Sequence, residues 1–166
     1  MRYRFGGERM TTTPAALYRV VSLAEMVTWT FLVAAMIARY GFGYEGGLFF
    51  AAGLSHGIVF LVYGLTSIVV GLTLRWPVGR ILVACVLALP PWATFPFDRW
   101  LEKRGYLEGE WRLDDSGDPR DARILDRFLR WWLRRPLVFF LTIVITMAVV
   151  ITTLLSIGPP TEWGSH

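Results

Sequence analysis

The chain has 166 residues, 54% of them hydrophobic and only 18% charged, with a mean hydropathy of +0.46. A soluble domain carries about a quarter charged residues, whereas here 19 of the 30 charged groups crowd between Asp98 and Arg135 and the other stretches are almost charge-free. This excludes an ordinary soluble domain and, despite a formal charge of +4, leaves no soluble basic platform for nucleic acid.

Every positive residue but Lys103 is arginine, as suits membrane borders that set topology. The single Cys85 lies in an apolar run and reads as a small packing residue. Two histidines and one cysteine cannot build a common zinc site, and no P-loop, nucleophile elbow or HExxH occurs. No enzyme, metal or cofactor is therefore expected.

Residues 1–15 read as a polar arm. The apolar stretch from Val20 to Ala38 is longer than a signal core, contains Glu25 and is followed by no small-residue cleavage site, so it is expected to be an uncleaved span over about 17–38. Arg39 and Tyr40 close it, and the four glycines within 41–47 predict a turn. A second span covers about 48–74. Its Gly53 and Gly57 form a GxxxG, and Gly57, Gly64 and Gly71 repeat every seven residues, which predicts a packing face for another helix.

The third segment, about 81–97, contains Pro90, Pro91 and Pro96. It is either a kinked, thin span, taken as the leading reading, or a re-entrant hairpin whose freed backbone groups need cover. Residues 98–119 read as a solvent-exposed linker, with a short helix continuing through Arg104. Arg120, Arg123, Arg127, Arg130 and Arg134 then share one helical face beside Phe128, Trp131 and Trp132. The expected placement is an amphipathic helix in the headgroup layer, with anionic lipid adding about 1 kcal/mol per nearby arginine; the alternative is a helix packed on the protein. Leu137–Ile157 carries no charge and predicts a fourth span, with Thr142, Thr146 and Thr153 on one face.

The expected fold is thus all-α: a polytopic transmembrane helical bundle with four hydrophobic segments and one interfacial amphipathic helix. Its parts are an arm (1–15), a three-segment membrane domain (16–104), a linker (105–119), the basic helix with the fourth span (120–157) and a tail (158–166). If all four segments cross, Lys and Arg divide six against eleven between the two sides; if the third re-enters, they divide sixteen against one, with only Arg39 opposite. The second division fits the positive-inside rule far better.

Ala24-Glu25 in the first span, Ser55-His56-Gly57 with Phe60 and Tyr63 in the second, and Leu89-Pro90-Pro91 through Phe97-Asp98-Arg99 in the third carry a resemblance. Over about residues 16–104 the chain resembles the small bacterial membrane proteins of domain-of-unknown-function family 3817. The resemblance implies a multi-pass protein of the bacterial cytoplasmic membrane and assigns no activity. This chain departs from it at Met26, where many members have Gly, and in its added C-terminal part.

Glu25 and His56 are the two ionisable groups well inside spans. A carboxylate in hydrocarbon costs at least about 2.5–3.5 kcal/mol, so it should face protein or water. Counting 1.5 Å per residue puts Glu25 roughly 9 Å below one border and His56 roughly 12–16 Å below the other, leaving a depth difference of roughly 5–9 Å in a ~30 Å core. A water-bridged contact is therefore expected over a direct one. The leading reading is a polar clasp between spans one and two, and the alternative is a proton or cation relay. Asp98 and Arg99 read as a membrane-border pair, and Tyr63 as a donor to a neighbouring helix. The expected function is a non-enzymatic bundle subunit that self-associates or joins a membrane complex through the glycine face. The alternative is a small proton-coupled transporter or channel.

Overall fold

The computed structural model describes residues 13–113 and 124–156, and every element among them is helical. Helix α1 spans Pro14–Met36 and continues through a π turn, Ile37–Gly41. It starts earlier than expected because Thr13 caps it: the Thr13 hydroxyl accepts from the Ala16 amide at 3.1 Å, and Pro14 takes the first helical position, where its missing N–H costs nothing. After the glycine turn, α2 spans Leu48–Thr73 and packs antiparallel along α1. It ends in a Schellman motif, with Arg75 in the left-handed region (φ 56°) and the Trp76 amide bonded to the Gly71 carbonyl at 2.8 Å.

Both helices are long and apolar enough to cross a membrane, each with a mean hydropathy of 1.9. A soluble core helix would be mostly buried, whereas these expose Val20, Leu23, Val27, Phe50 and Leu54.

The third segment forms a hairpin of two short helices, α3 (Val78–Val86) and α4 (Thr94–Lys103). At 1.5 Å per residue each is about half of a ~30 Å hydrocarbon core. The break falls at Pro90 and Pro91, with Trp92 at φ 61°. Pro96, by contrast, sits in the first turn of α4, where proline is tolerated. Contacts along the way trace the path out and back. Ile81 packs with Trp76, the Ala88 carbonyl accepts from Trp29 Nε1 at 3.1 Å, and Trp92 Nε1 donates to Thr30 at 2.9 Å. The chain then descends past Ser22, whose hydroxyl reaches the Thr94 carbonyl at 3.5 Å, to an Arg19–Glu102 ion pair. It arrives where it began: Trp76 Nε1 donates to the Tyr106 carbonyl at 2.7 Å, and Arg80 stacks over the Tyr106 ring. Of the two expected forms, a kinked, thin span and a hairpin, the helices take the path of a hairpin. The cause is the Pro-Pro-Trp corner, beside which Trp29 of α1 covers the Ala88 carbonyl.

Residues 105–113 are also not the free linker expected. Leu107 is buried, and Arg112 donates to the Thr73 and Leu72 carbonyls at the end of α2 (2.8 and 2.7 Å) and to Asp126 at 2.7 Å. An arginine capping the carbonyl end of one helix and pairing with an acid on the next ties α2 to α5 (Ile124–Leu133). Leu129, Trp132 and Leu133 of α5 are buried in a cluster with Val69 of α2, so that face packs on the protein. Helix α6 (Pro136–Ser156) follows, with Thr142 and Thr153 bonded back to their own helix at 2.8 Å each.

Candidate functional site

On α1, Tyr18, Ser22 and Glu25 follow at steps of four and three, and on α2, His56, Tyr63 and Ser67 at steps of seven and four, so each set lies on one helix face. Antiparallel packing turns the two faces together. All six side chains are buried, Glu25 completely.

The lower layer is a closed bond: the Tyr18 and Tyr63 hydroxyls meet at 2.8 Å, with Ser67 beside them and the Trp76 ring edge-on to Tyr18. Two turns away, Glu25 Oε2 lies 3.8 Å from His56 Nδ1, and neither Glu25 oxygen has a hydrogen-bond partner among the described residues. His56 is otherwise held by the Thr28 hydroxyl at 3.3 Å and by the Trp29 ring, whose centroid is 4.3 Å away. Glu25 and His56 thus face each other directly, where a water-bridged contact was the leading expectation. Counted from Pro14, Glu25 lies about 16 Å into its helix, and His56 lies about 12 Å from Leu48, which together nearly fill a ~30 Å core.

Helix α4 closes the lower layer. Thr94 and Asp98 are buried against α1, and Asp98 Oδ1 has no hydrogen-bond partner among the described residues. Asp98 lies outside the two long helices. Burial pushes its carboxyl above the ordinary range, Glu102 pushes it further, and Arg19 and Arg99 pull it back. Arg99 itself is exposed and lies 3.6 Å from Glu102, so the expected Asp98–Arg99 border pair is divided: the acid points in and the base points out.

Comparison with known proteins settles the kinship. The family described as Domain of unknown function (DUF3817) matches residues 15–103, more than half of the chain. The chain belongs to the DUF3817 family. It is also 33% identical over 95 residues to the Streptomyces coelicolor protein named "Putative membrane protein SCO5905", covering 52% of this chain but only 10% of that relative. No solved structure matches.

Tyr18, Glu25, His56, Tyr63 and Asp98 all fall inside the DUF3817 stretch, whereas α5 and α6 lie beyond it. Of the four glycines expected to form one packing face, the structure separates one. A Cβ at Gly71 would meet Ile81 Cγ1 at 2.6 Å, so its partner is α3 of the same chain. Around Gly53, Gly57 and Gly64 a Cβ would meet nothing within 4 Å. Of the five arginines, Arg120 and Arg123 lie outside the described residues, as do residues 1–12, 114–119 and the tail 158–166. Arg134 Nε donates to the Leu113 carbonyl at 2.7 Å, and Ile124, Phe128 and Trp131 form an exposed strip.

Sequence reasoning did not assign Tyr18, Ser22, Ser67 or Thr94 to the site. The signal was present for the first: Tyr18 precedes Glu25 by seven residues, as His56 precedes Tyr63, so an antiparallel pair that joins one couple joins the other.

Proposed function

We propose that this DUF3817 protein is a multi-pass protein of the bacterial cytoplasmic membrane that moves protons through its interior by way of Glu25 and His56, as a small proton-coupled carrier or channel. One observation carries the reading. A structural clasp would close to about 2.7–2.9 Å and satisfy its carboxylate, whereas the buried Glu25 stands 3.8 Å from His56 with both oxygens unpartnered among the described residues. Buried polar groups are nearly always paired, and an exception inside a membrane helix marks a functional group by default. In this reading α1, α2 and α6 cross and the α3–α4 hairpin re-enters, which puts sixteen of the seventeen Lys and Arg on the cytoplasmic side. The exposed Ile124, Phe128 and Trp131 strip beside the arginines of α5 supports a place for that helix against anionic headgroups. The test is proton flux into liposomes containing the full chain. Glu25→Gln and His56→Ala should abolish it with the protein still folded; wild-type liposomes as tight as empty ones would refute the reading.

A second reading is favoured by the glycine face: the open surface at Gly53, Gly57 and Gly64 supports close packing against a second copy of this chain. Cysteines placed along this face, with Cys85 replaced, should crosslink dimers in native membranes. Monomers alone would dismiss the association.

A further inference from the structure

The two layers of the site are joined. Between Tyr18 and Glu25 on α1 stands Ser22, one helical turn from each and buried, with its hydroxyl toward the Thr94 carbonyl. From α4, Thr94 and Asp98 are both buried against this line, and Asp98 lies within electrostatic reach of both tyrosines. The result is a column of buried polar side chains running from Asp98 through Tyr63, Tyr18 and Ser22 to Glu25 and His56. Several oxygens in or beside it, in Thr94, Asp98 and Glu25, have no hydrogen-bond partner among the described residues. Packed interiors do not collect such groups by default. At the outer end of the column the side chains become exposed and charged: Arg19, Arg99 and Glu102. This is the end of the bundle at which the α3–α4 hairpin both leaves and returns.

We propose that this column is the proton intake of the Glu25–His56 pair, with Asp98 as its port. Resting on the proton reading above, it names the path by which that pair is reached. Asp98 takes a proton from bulk solvent beside Arg19, Arg99 and Glu102. The Tyr63 and Tyr18 hydroxyls and then the Ser22 hydroxyl each accept a proton on oxygen and release their own, so one O–H bond forms as another breaks. Asp98 returns to carboxylate, Glu25 becomes the acid, and no electrons change hands. The hydroxyls need never ionise, because each is donor and acceptor at once. Broken helices that bring polar groups and uncovered carbonyls to membrane depth are a recurrent way of building such paths.

The experiment uses the full chain in liposomes with two readouts: proton flux, followed by a lumenal pH dye, and hydrogen–deuterium exchange of the Glu25 carboxyl, followed by its infrared band and assigned by its loss in Glu25→Gln. Asp98→Asn and Tyr63→Phe should each slow both by about tenfold, the order expected for one lost proton hand-over. Asp98→Glu should restore them, which a merely structural role for Asp98 does not predict. Wild-type rates in Asp98→Asn and Tyr63→Phe, with flux still lost in Glu25→Gln, would overturn the intake and leave the pair standing. Slowed exchange in Asp98→Asn without any wild-type flux would support the intake and refute transport.

Discussion

Two layers of one helix seam carry different chemistry on the same backbone. Tyr18 and Glu25 are seven residues apart on α1, as are His56 and Tyr63 on α2, so a single antiparallel register aligns both couples about 10.5 Å apart along the axis. In the tyrosine layer the hydroxyls bond at 2.8 Å and the rings are fully buried. In the Glu25–His56 layer the nearest approach is 3.8 Å. The tyrosines therefore hold the two helices together, and Glu25 and His56 are free of that duty. A buried carboxylate not needed for packing remains an expense in stability unless it does something else.

The widest separation between the layers should come from Glu25→Gln. It keeps the shape of the side chain and removes the acid. Proton flux should fall by about a hundredfold or more, the contribution of a positioned acid or base. Apparent unfolding free energy in mixed micelles should hold or rise, because the change replaces a buried acid without a hydrogen-bond partner among the described residues by a neutral group of the same shape. A loss of more than about 1 kcal/mol would instead make this pair the clasp.

Tyr63→Phe should behave in the opposite way. It orphans the buried Tyr18 hydroxyl and should cost about 1–3 kcal/mol, whereas Tyr18→Phe with Tyr63→Phe together should recover part of that loss, since removing both partners leaves nothing unsatisfied. A double mutant no more stable than Tyr63→Phe alone would place the stability elsewhere. Gly71→Ala, on the same end of α2, should cost a comparable amount, about 1–3 kcal/mol, because its Cβ would lie 2.6 Å from Ile81 Cγ1.

What the sequence made legible follows from local chemistry. The bounds of α2, the glycine turn and the helix from Pro136 are set by composition and punctuation and lie where expected, within a residue or so. The start of α1 was missed because Thr13-Pro14, a cap and a first-turn proline, was read as part of the arm. The hairpin is a different matter. Prolines showed that a break was needed, and the sixteen-to-one charge division favoured a return. Which way the chain turns after Trp92, however, is decided by Trp29, Thr30 and Trp76, distant residues whose hydrogen bonds no spacing rule reveals. Glu25 and His56 could be chosen from the sequence because charge in an apolar run is rare. Tyr18 and Ser22 could not, because neither is unusual in a membrane helix.

Asp98 tests whether the lower layer connects to the outside by acid chemistry. Because burial holds its carboxyl above the ordinary value, the folded chain binds this proton more tightly than the unfolded chain does. Its contribution to stability is therefore full below the ordinary carboxylate value of about 3.9 and is lost as pH rises toward the higher folded value. Thermal midpoints across an acid-to-neutral series should decline with rising pH in wild type more steeply than in Asp98→Asn. Parallel profiles would show that Asp98 shares no proton linkage with folding, and the inward acid would lose its claim as a port.

The smallest effect expected lies on the glycine face of α2, about a quarter-turn round the helix from the inward face. At Gly57 an added methyl meets nothing within 4 Å, so Gly57→Ala should stabilise the isolated chain by about 0.5–1 kcal/mol through helix propensity alone. If a second copy packs there, the same methyl holds the backbones apart, and crosslinking through this face should fall while the monomer becomes more stable. A substitution that strengthens the chain and weakens its association can only act at a surface that a partner uses. If Gly57→Ala raises stability and leaves crosslinking unchanged, the face is turned to lipid, and the inward face of α2 carries the function alone.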